Sequence, residues 1–272
     1  MTVSQALKEA TSMLSGSVNR PRLEAEILLS HCLGCDRSML LLRDRDYLPN
    51  SNIFFEMINQ RLENRPIEYI TQSVSFYSHN FFVNSNVLIP RPETEILVQK
   101  AVEYIQKYNL KNIIEVGVGS GVISIMVALL VPDIKITATD ISKEALNVAK
   151  INIDRYNLTD KITLIHTSML EGIAESFDIL LSNPPYIPQD TKLESNIIDY
   201  EPHTALFCEG DGTKMLKDLV VTAQDRGIQI AGCEMGYDQK ESMERFFIQK
   251  GITNYKFYKD YASLDRGFFV EF

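Results

Sequence analysis

Seven short apolar runs, separated by amphipathic stretches, leave few architectures open to the second half of this chain. They are Asn112 to Val116, Ile134 to Thr139, Ile162 to His166, Phe177 to Ser182, Ile228 to Cys233, Thr253 to Tyr258 and Gly267 to Phe272. Strands that alternate with helices at this spacing form right-handed βαβ units and a mostly parallel sheet, an α/β fold whose ligand loops lie at the carboxyl ends of the strands. The unusual residues of the sequence fall at those ends.

The first part of the chain has a different period. Val3, Ala6, Leu7, Ala10, Met13 and Leu14 repeat at three and four, which makes one apolar helical stripe. Pro21 suits the first turn of a second helix that stops near Gly34, and Ser51 can cap a third through Leu62. Residues 1–75 therefore read as a small helical domain. Between Tyr69 and Ile89 the composition turns to Tyr, Phe, Val and Ile broken by Ser, His and Asn, the pattern of a β-hairpin, with residues 76–92 as a bridge. After Pro90 and Pro92 a helix from about Glu93 to Tyr108 opens the third segment, residues 93–272. At 272 residues and 45% hydrophobic, the chain can bury one full core and a satellite.

Several function classes fall away on bulk grounds. A net charge of -9 with no Lys/Arg run argues against nucleic acid as a partner, since phosphate neutralisation needs a basic surface. Met1 to Leu14 has no basic and apolar leader pattern, and the uncharged stretch Val116–Val131 is interrupted by glycines and short for a bilayer, so no membrane role and a cytoplasmic location are expected. Cys32 and Cys35 have C-x-x-C spacing, but a zinc site needs a second pair that Cys208 and Cys233 do not supply, so no metal is expected and the four cysteines read as free thiols.

Glu115-Val-Gly117-Val118-Gly119-Ser120-Gly121 follows an apolar strand and precedes the helical run Val122 to Leu130. Glycines at a strand-to-helix turn permit positive φ and close approach of a ligand, and the helix N-terminus favours a carboxylate, so the amides of this turn are expected to face a ligand. Asp140 ends the next strand about 20 residues on, where an acid can hold a ribose diol; it could instead cap the following helix, as could Ser142. Loop and acid together favour ribose. The Gly-x-Gly-x-Gly spacing departs from the dinucleotide G-x-G-x-x-G, which tilts the cofactor toward S-adenosyl-L-methionine.

Asn183-Pro184-Pro185-Tyr186 follows the run Phe177 to Ser182 at the same sheet edge. Two prolines stiffen the loop and set the direction of its carbonyls. The side-chain carbonyl of Asn183 beside the backbone carbonyl of Pro184 offers two acceptors, which match the two hydrogens of a planar NH2 group. An amide nitrogen is a poor nucleophile because its lone pair is delocalised, so orienting both its protons is the assistance it needs. Tyr186 would pack over the substrate amide. Asn183, Pro184 and Tyr186 are the candidate catalytic residues.

With these residues in view, the sequence resembles the HemK family of protein-(glutamine-N5) methyltransferases. The likeness runs almost end to end, through Pro21 to Leu29, Pro66 to Thr71, Val87-Leu-Ile-Pro-Arg91-Pro-Glu93-Thr-Glu95, the glycine loop, Asp140 to Ser142, Ser182 to Pro188, Tyr200-Glu-Pro202 and Glu234 to Gln239. The resemblance implies a class I S-adenosylmethionine-dependent methyltransferase with a Rossmann-like seven-stranded sheet. It implies S-adenosyl-L-methionine as donor, S-adenosyl-L-homocysteine as product, and as substrate the Gln of the Gly-Gly-Gln motif in peptide chain release factors; a monomer is expected. By that likeness Gly117 to Gly121, Asp140 and Asn183 line the cofactor, and Asn183 to Tyr186 hold the glutamine. Where the family often has Asp-Trp after the third strand to meet the adenine, this chain has Ser168-Met169, and a Met can still cover an adenine face. Arg91 and Glu93 contact substrate or form an interdomain salt link. Glutamine methylation of a ribosomal protein shares the tetrad, and so does adenine methylation of nucleic acid, which the acidic balance disfavours. A non-catalytic module that keeps the nucleoside pocket would not need Asn183 and Tyr186.

Overall fold

The computed structural model describes residues 1–272, which divide into two compact units. One comprises Met1–Ser73 together with Glu194–Tyr200; the other comprises Val74–Leu193 and Glu201–Phe272. No helix is long and apolar enough to cross a membrane.

In the smaller unit, α1 (Val3–Leu14) begins with a capping box in which Thr2 and Gln5 satisfy each other's backbone amides. α2 (Pro21–Leu33) carries Pro at its start and ends on Gly34 in the left-handed conformation, as the sequence predicts. α3 (Ser51–Leu62) differs in its cap. Ser51 is the first helical residue rather than the cap, because Asn50 takes the preceding left-handed position, and no side chain caps the helix. A short α4 (Ile67–Thr71) follows, so Tyr69 to Thr71 are helical where the hairpin was expected to have begun. Val3, Leu7, Leu28, Leu29, Phe54, Ile58 and Ile70 form the core of this unit. The segment Glu194–Tyr200 joins it, with the Tyr200 hydroxyl donating to the Glu63 carbonyl at 2.7 Å.

The hairpin consists of β1 (Ser73–Phe76) and β2 (His79–Phe82). Phe76 and Phe81 are buried in the same core as the central sheet. Behind the hairpin come α5 (Thr94–Tyr108), β3 (Asn112–Val116), α6 (Val122–Leu130), β4 (Lys135–Asp140), α7 (Lys143–Arg155), β5 (Ile162–His166), β6 (Ile179–Ser182), the two-residue β7 (Ile187–Pro188), the single turns α8 (Ser195–Ile198) and α9 (His203–Leu206), β8 (Phe207–Cys208), α10 (Lys214–Asp225), β9 (Ile230–Glu234), α11 (Lys240–Gln249), β10 (Asn254–Lys259) and β11 (Asp265–Glu271). Asn152 on α7 fixes the hairpin: fully buried, it accepts from Phe82 N at 2.7 Å and donates to the carbonyls of Phe82 at 2.9 Å and Ser120 at 2.8 Å. A buried carboxamide must satisfy both its ends, and this one does so by clasping the hairpin to the glycine loop.

The central sheet has seven strands in the order β10-β11-β9-β6-β3-β4-β5. These are the seven apolar runs, with boundaries shifted by two residues at most. β3 pairs in parallel with β4 and with β6, β4 with β5, and β6 with β9, while β11 runs antiparallel to β9 and β10. The strand order reverses between β3 and β6. In open α/β sheets the ligand crevice lies at such a switch point, beyond the carboxyl ends of the strands. The Ser182 hydroxyl, donating to Val116 O at 2.7 Å, stitches β6 to β3 at that point.

Candidate active site

A cavity of about 970 Å³, including its open mouth, lies at the switch point. Gly117, Val118, Gly119, Ser120, Asp140, Met169, Asn183 and Pro185 line it, so residues from the loops after β3, β4, β5 and β6 meet there. Gly121, Ser168, Pro184, Tyr186, Arg91 and Glu93 lie outside this lining.

The glycine loop departs from expectation in one respect. The amides of Gly117 and Val118 donate to Thr139 O at 2.8 and 3.0 Å, that of Gly121 to Val118 O at 2.8 Å, and that of Gly119 to Asp140 Oδ2 at 3.0 Å. The first two and the last of these N–H groups brace the loop against β4, and that of Gly121 closes the loop's own turn, so these four are taken up within the protein. What the loop offers is space: Gly117 and Gly119 have φ of +77° and +52°, and a Cβ on either would project into open volume. That clearance is what close approach of a nucleoside requires.

Asp140 does not cap α7. Ser142 does, accepting from Ala145 N at 3.1 Å, while Asp140 Oδ1 accepts from Ser142 N at 2.9 Å. Asp140 is thereby held at the cavity wall beside Gly119. After β5 the chain turns at Met169, whose φ is +53°, and its carbonyl accepts from the Thr139 hydroxyl at 3.0 Å. This left-handed turn sends Met169 to the cavity and leaves Ser168 exposed, so the expected Ser168-Met169 pair is split and Thr167 takes the second place in the lining.

Arg91 forms a salt link. Its Nη2 pairs with Glu201 Oε1 at 2.6 Å, and Glu201 Oε2 accepts from Ile89 N at 3.1 Å. Both residues belong to the larger unit, so the link is not interdomain. A carboxylate only 4% exposed needs both partners, and Arg91 with the Ile89 amide provides them. Glu93 sits half-buried at the N-cap position of α5, and its side chain makes no capping hydrogen bond.

Two family models match the chain: the PrmC N-terminal domain over residues 5–71 and the methyltransferase small domain over residues 92–204. A release factor glutamine methyltransferase of Clostridium acetobutylicum is 35% identical, with 98% of this chain and 97% of that protein covered. The chain belongs to the release factor glutamine methyltransferase family. A bifunctional methyltransferase of Rickettsia typhi is 36% identical over 97% of this chain, and the chain spans 56% of its length. It thus covers about half of the bifunctional relatives it matches. The N-terminal domain of human METTL16, solved in complex with SAH, shares the fold with a TM-score of 0.53 at 15% identity, covering 85% of this chain and 86% of that one.

In this member of the release factor glutamine methyltransferase family, three buried polar residues shape the site without having been assigned roles from sequence. Glu115 is 1% exposed and is bonded by the amide and the hydroxyl of Ser124; burial raises its carboxyl to about 8 against those two bonds. Glu234, at the carboxyl end of β9, is equally buried and accepts from Thr94 Oγ1 at 2.7 Å and from the Tyr186 hydroxyl at 3.3 Å. Burial, with Glu234 beside it, holds the Tyr186 phenol well above its ordinary range, so it remains a donor. Gln239 accepts from Gly236 N at 2.9 Å and donates to Tyr186 O at 2.8 Å, which fixes the backbone of the Asn183-Pro184-Pro185-Tyr186 loop. The signal for these residues was present, since Glu115 opens the glycine loop and Glu234 and Gln239 fall within the late shared motif. Polar residues flanked by apolar strand ends are expensive to bury unless paired.

Proposed function

We propose that this chain transfers a methyl group from S-adenosyl-L-methionine to N5 of the glutamine in the Gly-Gly-Gln motif of peptide chain release factors. The observation that carries the reading is Asn183, whose carboxamide lines the cavity at the switch point while its NH2 is occupied by Thr94 at 3.1 Å. This leaves Oδ1 as the free acceptor for a substrate amide. Family membership supports glutamine as the acceptor and a release factor as its bearer.

The cavity fits the donor: open space over Gly117 and Gly119 admits the nucleoside, Asp140 supplies an acceptor for ribose hydroxyls, and Met169 offers a soft apolar face for the adenine. When bound, S-adenosyl-L-methionine supplies a methyl carbon made electrophilic by sulfonium. Everything else is positioning. Asn183 Oδ1 and the Pro184 carbonyl take the two N–H bonds of the glutamine amide and favour a pyramidal nitrogen whose lone pair is available. Tyr186 and the stiff Pro184-Pro185 pair hold that nitrogen in line and exclude water. With the donor bound, the glutamine nitrogen would gain the N–C bond as the C–S bond gave its electron pair to sulfur, and the proton shed from the acidic N-methylated cation would go to water.

Transfer of labelled methyl to a purified, unmethylated release factor, beside the same factor with its Gly-Gly-Gln glutamine replaced, tests the proposal. Label on the first and none on the second is expected. Label on neither, with cofactor binding intact, would overturn release factors as substrate. Asp140→Ala should weaken S-adenosylmethionine binding by about 1.5–3 kcal/mol, the loss of a charge-assisted hydrogen bond, measurable by calorimetry. An unchanged affinity would reduce Asp140 to a brace for Gly119 and Ser142.

A further inference from the structure

A primary carboxamide has almost the same shape when turned by 180°, so sterics alone cannot tell which end of Asn183 faces the cavity. Only one orientation suits an amide substrate: oxygen toward it, NH2 away. The choice is made two residues further back. Asn183 Nδ2 donates to Thr94 Oγ1 at 3.1 Å, and Thr94 Oγ1 donates to Glu234 Oε2 at 2.7 Å. A hydroxyl has one hydrogen; once it is given to Glu234, Thr94 can only accept, and it selects the NH2 end of Asn183. A carboxylate has none to give, so the relay can run in one direction alone. The other oxygen of Glu234 accepts from the Tyr186 hydroxyl, so one buried carboxylate ties both ends of the tetrad. Thr94 and Glu234 are 2% and 1% exposed, which keeps water from substituting for either partner.

We propose that Glu234, acting through Thr94, is the positioning residue that sets the orientation of the Asn183 carboxamide and so presents an acceptor, and not a donor, to the amide nitrogen being methylated. The inference rests on the methyl-transfer reading given above. It makes the relay reversible by a proton. A protonated Glu234 can donate to Thr94, which then donates to Asn183 Oδ1; the carboxamide turns over and meets the substrate NH2 with its own. Burial pushes Glu234 up to about 7, opposed by the Thr94 hydroxyl in the first turn of α5, Arg266 on β11 and Tyr186 after β6, and reinforced by Glu93 before α5; Tyr258 on β10 faces it too. The carboxylate is the working form, so turnover should fall as pH drops through about 7.

Thr94→Val and Thr94→Ser in the full chain test this. Valine keeps the shape and removes the relay; kcat should fall about 100-fold, with KM for the protein substrate changed less than kcat and the acid limb near neutrality gone. Serine restores the hydroxyl and should recover most of the rate together with that limb. Glu234→Gln should also abolish the acid limb. A second readout needs no turnover: the side-chain NH2 resonance of 15N-labelled Asn183, identified by its loss in Asn183→Ala. In the parent chain it should shift between pH 6 and 8, and Thr94→Val should abolish that shift. A resonance that titrates alike in the parent and in Thr94→Val, or a Thr94→Val enzyme that keeps its rate and acid limb, overturns the relay. Failure of the parent to label any release factor would instead strike the functional reading, and the resonance would still decide the relay.

Discussion

Asn183→Ala is expected to lower methyl-transfer turnover by about a thousandfold while leaving the Kd for S-adenosylmethionine within about tenfold of the parent. The magnitude follows from what removing one preorganised polar group at a reacting centre costs, about 10²–10³ in kcat, with the upper end chosen because an amide nitrogen has so little nucleophilicity of its own. Alanine takes away Oδ1, and it also frees Thr94, whose hydroxyl then loses the donor it accepts from. Cofactor affinity should hold because Asp140 and the glycine loop are braced by contacts of their own, Gly119 N to Asp140 and the Gly117 and Val118 amides to Thr139. Single-turnover transfer of labelled methyl, with a calorimetric cofactor titration beside it, separates the two effects. Turnover retained within a factor of about ten would sink Asn183 as the group that holds the nucleophile.

The second large effect should come from a residue with no polar side chain. Gly212, between β8 and α10, has φ +79°, and a Cβ there would lie 2.2 Å from Tyr186 O and 2.6 Å from Gln239 Nε2. Those two atoms are hydrogen-bonded to each other at 2.8 Å, so the methyl group would land on the bond that fixes the Asn183-Pro184-Pro185-Tyr186 loop. Gln239 cannot retreat, being 4% exposed and held by Gly236 N at its other end. Gly212→Ala should therefore destabilise the chain by about 2–4 kcal/mol, combining backbone strain with overpacking, and should depress turnover further by displacing Tyr186. Gly210 is the internal control: it too has positive φ, +65°, but its Cβ would meet nothing within 4 Å. Gly210→Ala should cost about 1 kcal/mol. Urea unfolding of both variants checks this, and equal losses would show that the contact with Tyr186 is not what Gly212 protects.

Local pattern made much of this legible in the sequence. α1 and α2 begin and end where periodicity, Pro21 and Gly34 place them, and the seven apolar runs are the seven strands of the sheet. What was not legible depended on partners far away in the chain. Thr94 and Glu234 stand 140 residues apart, and nothing short of the strand order brings the carboxyl end of β9 beside the start of α5. Arg91 offered a charge without revealing that Glu201 takes it. Competition among similar capping residues misled the reading of α3, where Asn50 adopts the left-handed turn that leaves Ser51 inside the helix. At Ser168-Met169 a single left-handed residue decided which of two neighbours faces the cavity, and pattern alone does not register such a turn.

The smaller unit borrows Glu194–Tyr200 from deep within the other, and this has a consequence for how the molecule is made. A ribosome extends a chain at about 5–20 residues per second, so the stretch that follows Ser73 occupies roughly 6–25 s before Tyr200 exists to bond Glu63. By then the strands β3, β4, β5 and β6 have already been synthesised. The helical unit leaves the tunnel ahead of the sheet and must wait for its last piece until most of the sheet has followed it.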